Sequence, residues 1–190
     1  MFDMSGTATE FIQQRGNFRE LIAFRKSECV YDVTFFFAHK FLEKGDRSID
    51  QMIQAARSGK QNIAEGCSAS TTSKETEIKL INVARASLQE LLLDYEDYLR
   101  VRNLELWAET DERFVKTRGI CSSQNDSAYY RKVIEVRSDE TVANIAIILI
   151  RQTDYLLRRY FNRIQRDFLK NGGVKEEMSK ARRRFINQKL

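Results

Sequence analysis

At 190 residues the chain is long enough for one domain with appendages and for a single substantial core, and 31% charged against 42% hydrophobic residues excludes wholesale disorder. It contains no proline, where average usage would place on the order of nine, and because proline is the residue that breaks helix interiors, long uninterrupted helices are expected. The net charge is +5, but from Arg151 onward there are 12 Lys or Arg and 4 Asp or Glu, a balance of +8, so residues 1–150 carry −3.

Cys29, Cys67 and Cys121 are widely spaced with no C-x-x-C pair, which excludes a disulfide framework and a cysteine zinc site and reads as reduced cytosolic thiols. No segment has the shape of a signal peptide, and the apolar run Ala146 to Ile150 is far too short to span a bilayer. A cytoplasmic protein without a membrane partner is expected.

Residues 1–17, rich in Ser, Gly, Thr and Gln, have no sustained period and read as a flexible N-terminal arm. A first helix is expected from about Phe18 to Lys44, with Val30, Thr34, Phe37 and Phe41 on one stripe and Tyr31, Phe35 and Leu42 on a second. So many aromatics either fill the core or also face another subunit. Gly45 and Asp46 form a turn, and Ser48 is the expected N-cap of the second helix.

That second helix carries QMIQAARSGKQNIAEG, Gln51 to Gly66. Ala55 and Gly59, four residues apart, share a face and form a shallow notch beside Ser58. Glycine inside a helix costs roughly 1 kcal/mol against alanine, so Gly59 points to a backbone packed closely against it. Asn62 and Glu65 are expected to serve as scaffolding, and Gly66 is expected to stop the helix as a left-handed cap. After CSASTTS, Ser73 caps a third helix reaching about Arg102, whose stripe of Ile81, Ala84, Leu88, Leu91, Tyr95 and Tyr98 steps by three and four. Ala84 and Ser87 are the small positions expected to meet the Ala55 and Gly59 notch.

The QNIAEG run with Gln51 and the Ala-Ala-x-Ser before it, together with LINVARASLQEL containing Ala84, Ser87 and Glu90, resembles a known bacterial family. It comprises the small four-helix-bundle proteins encoded in intervening sequences of ribosomal RNA genes and the accessory variability proteins of diversity-generating retroelements. The chain is most similar to a subgroup called the four helix bundle suffix proteins, over roughly residues 20 to 100. It departs from the family at Gln54, Gly59 and Ala86. The resemblance implies a homopentamer and makes a reverse transcriptase a conceivable partner.

Residues 104–137 exceed the roughly two to eight that connect helices of a simple bundle, and read as an insertion of one or two short helices with the polar tip SSQND. Trp107, Phe114, Tyr129 and Tyr130 either pack it onto the bundle or form a recognition surface. A fourth long helix is expected from Ser138 or Asp139 to about Lys170, with Val142, Ile145, Leu149, Thr153, Leu156, Tyr160, Ile164 and Phe168 inward. Asn171, Gly172 and Gly173 end it, and residues 172–190 read as a basic amphipathic suffix with Val174, Met178, Ala181 and Phe185 at helical spacing. The fold expected is therefore all-α: an up-and-down antiparallel four-helix bundle over 18–171, with an insertion before helix four and a short C-terminal suffix helix.

The catalytic inventory is thin. His39 is the only histidine, so paired Glu-x-x-His di-iron ligands and a His-rich zinc site cannot be assembled within one chain, and no phosphate-binding glycine loop or G-x-S-x-G run exists. Glu65, Glu90, Asp94 and Asp97 could converge but lack a histidine partner. The expectation is a non-enzymatic protein with no cofactor, metal or catalytic residue. Arg151, Arg158, Arg159, Arg163 and Arg166 on the fourth helix, with Arg182, Arg183 and Arg184 on the suffix, are the candidate contacts to RNA or single-stranded DNA, since guanidiniums neutralise phosphates and release counterions. The competing reading is a protein-protein adaptor without nucleic-acid binding.

Overall fold

The computed structural model describes residues 17–187; the expected arm, apart from Asn17, lies outside the described residues. Among the described residues the chain is all-helical, with no strand. A single 3-10 turn, Phe18–Glu20, leads into α1 (Ile22–Phe41), α2 (Ser48–Ala69) and α3 (Lys74–Val101). Two short helices, α4 (Glu112–Ser123) and α5 (Ser127–Ile134), precede the long α6 (Asp139–Asn171) and the terminal α7 (Val174–Asn187). No described helix is long and apolar enough to cross a membrane.

The first helix starts later and ends earlier than its periodicity indicated. Asn17 caps the 3-10 turn by accepting from Arg19 N at 3.1 Å, and the extended Leu21 separates that turn from α1. At the far end Leu42 is extended and Gly45 takes a positive φ of 96°, which turns the chain into α2. Phe37 is fully buried against Tyr95 and Tyr98, with ring centroids 4.9 and 4.7 Å away. The second aromatic stripe is only partly core: Phe35 stays exposed beside His39, and Tyr31 lies under Lys60, whose Nζ is 4.2 Å from the ring centroid.

Two expectations about α2 are corrected. Ser48 is the first helical residue, the N-cap position falls on Arg47 without a side-chain cap, and Asp46 just before it accepts from Ser48 N at 2.8 Å, where its charge complements the helix N-terminus. Gly66 does not stop the helix. It is buried three residues inside the C-terminus, where a β-carbon would come within 3.2 Å of Ile81 Cδ1 and 3.3 Å of Leu80 Cβ. At Gly59 the same carbon would meet Leu88 Cδ2 at 3.1 Å and the Ala84 carbonyl oxygen at 3.6 Å. Both glycines are therefore close-packing residues, seven apart on one face, and α2 and α3 share the most intimate helix contact in the molecule. Ser58 and Ser87 hydroxyls meet across it at 3.0 Å, and the Asn62 amide donates to the Ser58 carbonyl at 2.9 Å. Gln51, Glu65 and Glu90 are exposed, so Glu65 is not part of the expected scaffolding.

Ser73 caps α3 as expected, accepting from Thr76 N at 3.2 Å, and the whole anticipated stripe of α3 is buried. Ser138 does the same for α6 through Thr141 N at 3.3 Å. In α6, however, every residue from Val142 to Ile150 is buried, not one stripe alone. An all-round apolar helix needs neighbours on all sides. Here α1 and α3 cover one side and the inserted α4 covers another.

The insertion is thus a third wall of the core. Trp107, Phe114, Tyr130, Ile134 and Cys121 are buried, and Tyr129 is half-buried, so these aromatics pack inward and do not form a recognition surface. Asn144 holds the lead-in strand of chain, accepting from Trp107 N at 2.9 Å and donating to the Glu105 and Glu140 carbonyls at 2.8 and 2.9 Å. From α1, Lys40 Nζ donates to the Glu135 carbonyl at the end of α5 at 2.5 Å, and Asp32 pairs with Arg131 at 2.6 Å. Lys26 donates to the Cys121 carbonyl near the end of α4. Lysines at helix C-termini satisfy carbonyls that the helix leaves unbonded.

Lys26 is buried, and desolvation lowers its pKa from the usual 10.5 despite opposing influence from Cys121 and Cys29. Because the folded value lies below the unfolded one, the unfolded chain binds the proton more tightly in that window, and stability should rise as pH climbs toward 10.5. The buried thiols Cys29, Cys67 and Cys121, all raised by burial, act in the opposite direction over the same range, so denaturant titrations at several alkaline pH values should find a stability-versus-pH slope that is more positive in the parent than in Lys26→Met. The same slope in both proteins would mean the ammonium is not the group responsible.

The helix α6 closes at Gly172, with φ of 83°; any side chain there would strike the Glu176 carboxylate. Glu176, in the first turn of α7, instead accepts from Gly173 N at 2.5 Å. No described residue of α7 is buried.

Candidate functional site

The arginines singled out in the sequence divide into two sets. Arg151 is tied across to α3 by Glu96 at 3.0 Å, and Arg158 pairs with Asp154 at 3.2 Å, an aspartate that also holds Arg85 at 2.8 Å. These two are packing residues joining α6 to its neighbours and itself. Arg159, Arg163 and Arg166, at i, i+4 and i+7, form one exposed row with no ion pair among the described residues. Arg163 lies over the Tyr160 ring at 5.0 Å and Arg159 over Tyr155 at 5.9 Å, while Arg166 Nε donates to its own helix at Asn162. Arg182, Arg183 and Arg184 are exposed on α7.

Next to this row lies a feature the sequence reading missed. A cavity of about 620 Å3 occupies the end of the bundle where the 3-10 turn, the end of α2, the start of α3 and the distal half of α6 converge. Its floor is buried: Cys67, Ser70, Lys74, Glu77 and Ile164. Exposed Asn17, Glu20, Arg163 and Asn171, with half-buried Leu21, Tyr160 and Asp167, form the walls and rim.

The floor is a satisfied polar network. Lys74 Nζ lies 2.6 Å from Glu77 Oε2, with side chains 9% and 1% exposed, and Tyr160 donates its hydroxyl to Glu77 Oε1 at 2.6 Å. Both carboxylate oxygens are thereby engaged. Cys67 Sγ is 3.5 Å from the Tyr160 hydroxyl. Burial pushes the Tyr160 phenol up, and its bond to Glu77 pushes it further, so it stays a donor; burial likewise raises the Cys67 thiol. A thiol held protonated is a poor nucleophile. Cys29, pushed up to about 12 chiefly by burial, is equally inert.

Lys74 and Glu77 sit three apart on α3, visible in the sequence only as an ordinary surface pair. What hid them was distance along the chain, since Tyr160 joins them from 83 residues away. The acids suspected of converging do not form an acid and base pair: Glu65, Glu90 and Asp97 are exposed, and Asp97 pairs with Arg100 at 2.6 Å. Half-buried Asp94 is raised by burial first and then by Asp97 and Glu90. His39 is exposed, with Nδ1 2.8 Å from the Phe35 carbonyl. Among the described residues no group of His, Cys, Asp and Glu is arranged to hold a metal.

Fold and site together define an all-helical protein with a free guanidinium row beside a polar end cavity. Comparison with family models, curated proteins and solved structures returns no match.

Proposed function

We propose that the chain is a non-enzymatic helical-bundle protein that binds RNA or single-stranded DNA through Arg159, Arg163 and Arg166, extended by Arg182, Arg183 and Arg184 of α7. The observation carrying this reading is the unpaired row on α6, where three guanidiniums at one helical face keep their charge available to phosphates. Arg151 and Arg158, already engaged by carboxylates, contribute less. The scaffold in this proposal is an up-and-down antiparallel bundle of α1, α2, α3 and α6. It is supported by the short connections between α1, α2 and α3 and by the closed circuit of contacts from α1 to α2, α3, α6 and back.

Resemblance to the ribosomal-intervening-sequence and retroelement bundle family adds a cytoplasmic homo-oligomer, a pentamer, to the reading. A ring would multiply one weak basic site into an avid surface, and would make a reverse transcriptase a fitting partner. Phosphate binding predicts affinity for an RNA or DNA strand that falls steeply between about 50 and 200 mM salt. Replacing Arg159, Arg163 and Arg166 with Glu should weaken binding and flatten the log-log salt slope by about three. Salt-insensitive binding, or a triple variant that binds as the parent does, would sink the proposal. Exposed Met178 and Ile186 on α7 favour the adaptor reading instead, and capture of a protein partner by a chain that binds no nucleic acid would select it.

A further inference from the structure

We infer that the end cavity receives a single unstacked nucleobase, guanine in preference to the others, from a strand held by the arginine row. This rests on the phosphate-binding reading above and names its substrate class: single-stranded nucleic acid, not duplex. Three observations carry it. The first is shared position. Arg163 belongs both to the exposed row and to the cavity wall, so a backbone tracked along α6 passes the cavity mouth. The second is a stacking surface at that mouth, since the exposed Arg163 guanidinium lies over the half-buried Tyr160 ring at 5.0 Å, and a guanidinium plane so supported is of the kind that holds bases without regard to sequence. The cavity, at about 620 Å3, falls within the usual range for small-molecule pockets and has ample room for one base.

The third observation is the unspent polar groups. On the floor both Glu77 oxygens are taken, by Lys74 and by Tyr160, which leaves the wall carboxylate to recognise a base. Asp167 lies one turn beyond Arg163 on α6, half-buried in the cavity, and makes no ion pair among the described residues. Asn171 follows one turn later, and Glu20 faces them from the 3-10 turn. A carboxylate accepts two parallel N–H bonds, and guanine is the base whose Watson–Crick edge presents two adjacent donors, N1–H and the N2 amino group. Bases inside a duplex have that edge already paired, so only an unpaired strand can supply it.

Fluorescence anisotropy of the full chain with labelled twelve-nucleotide strands tests this. A thymidine strand with one central guanosine should bind at least about tenfold tighter than plain oligothymidine, the discrimination expected of one bidentate base contact. A blunt duplex containing that strand should bind no better than plain oligothymidine. Asp167→Asn should erase the guanine preference, binding the guanosine strand and plain oligothymidine alike, and a variant that keeps the tenfold preference would overturn the inference. Equal affinity for all three probes with a steep salt slope would overturn the base-pocket inference and leave the phosphate reading standing. Absence of salt-sensitive binding to any probe would overturn both. Guanosine monophosphate competing as well as the strand would overturn the requirement for the arginine row and recast the cavity as a free-nucleotide site.

Discussion

Gly59→Leu is expected to destabilise the protein by about 3 kcal/mol or more, the upper range for overpacking a well-filled core. The first added carbon would already sit 3.1 Å from two atoms of Leu88, a fully buried side chain with no free volume to retreat into. The remaining carbons would press toward the Ala84 carbonyl, and α2 could accommodate them only by moving off α3. Gly59→Ala is the graded control: it gains roughly 1 kcal/mol of helix propensity, which offsets much of the lesser overlap, and should change stability little. Urea denaturation followed by helical circular dichroism measures both. If Gly59→Leu unfolds at the parent's midpoint, α2 and α3 do not touch where the glycines put them.

A second large effect is expected from Glu77→Ala. The substitution leaves the Lys74 ammonium buried without its carboxylate and takes the acceptor from Tyr160. Breaking a buried ion pair from one side typically costs about 3–5 kcal/mol, whereas replacing both partners with apolar groups is often neutral. The double variant Lys74→Met with Glu77→Leu should therefore recover most of what Glu77→Ala loses. Chemical denaturation of the parent, Lys74→Met, Glu77→Leu and the double closes the cycle, with Glu77→Ala measured beside it. A Glu77→Ala variant within about 1 kcal/mol of the parent would mean water reaches the pair and the floor of the cavity is not dry.

That floor also explains why the arginine row, and not the cavity, was legible before the fold was known. A row at i, i+4 and i+7 is a property of one helix and can be read from spacing alone. The cavity needs four segments brought together, and its central trio spans Lys74 to Tyr160. The one trace in the sequence was Tyr160, an amphipathic side chain on a mostly apolar stripe, and nothing near it indicated a buried carboxylate. The same limit applied to Gly66. Its position before a polar loop matched a helix stop, but Ile81 and Leu80, supplied by the next helix, determine its purpose.

By itself the sequence determined the helical character of the chain, the notch formed by Ala55, Gly59, Ala84 and Ser87, the cap at Ser73, and the end of α6 at Gly172. These follow from local rules: no proline, small residues at helical spacing, a hydroxyl before the first turn, and a backbone angle that glycine adopts freely. Only the tertiary structure decided that the insertion is a wall of the core, that Lys26 and Lys40 finish helices beginning far downstream, and that Arg151 and Arg158 are engaged by carboxylates while Arg159, Arg163 and Arg166 make no ion pair among the described residues. Whether a charge is spent depends on which carboxylate reaches it from another helix, and a one-dimensional pattern carries no record of that distance.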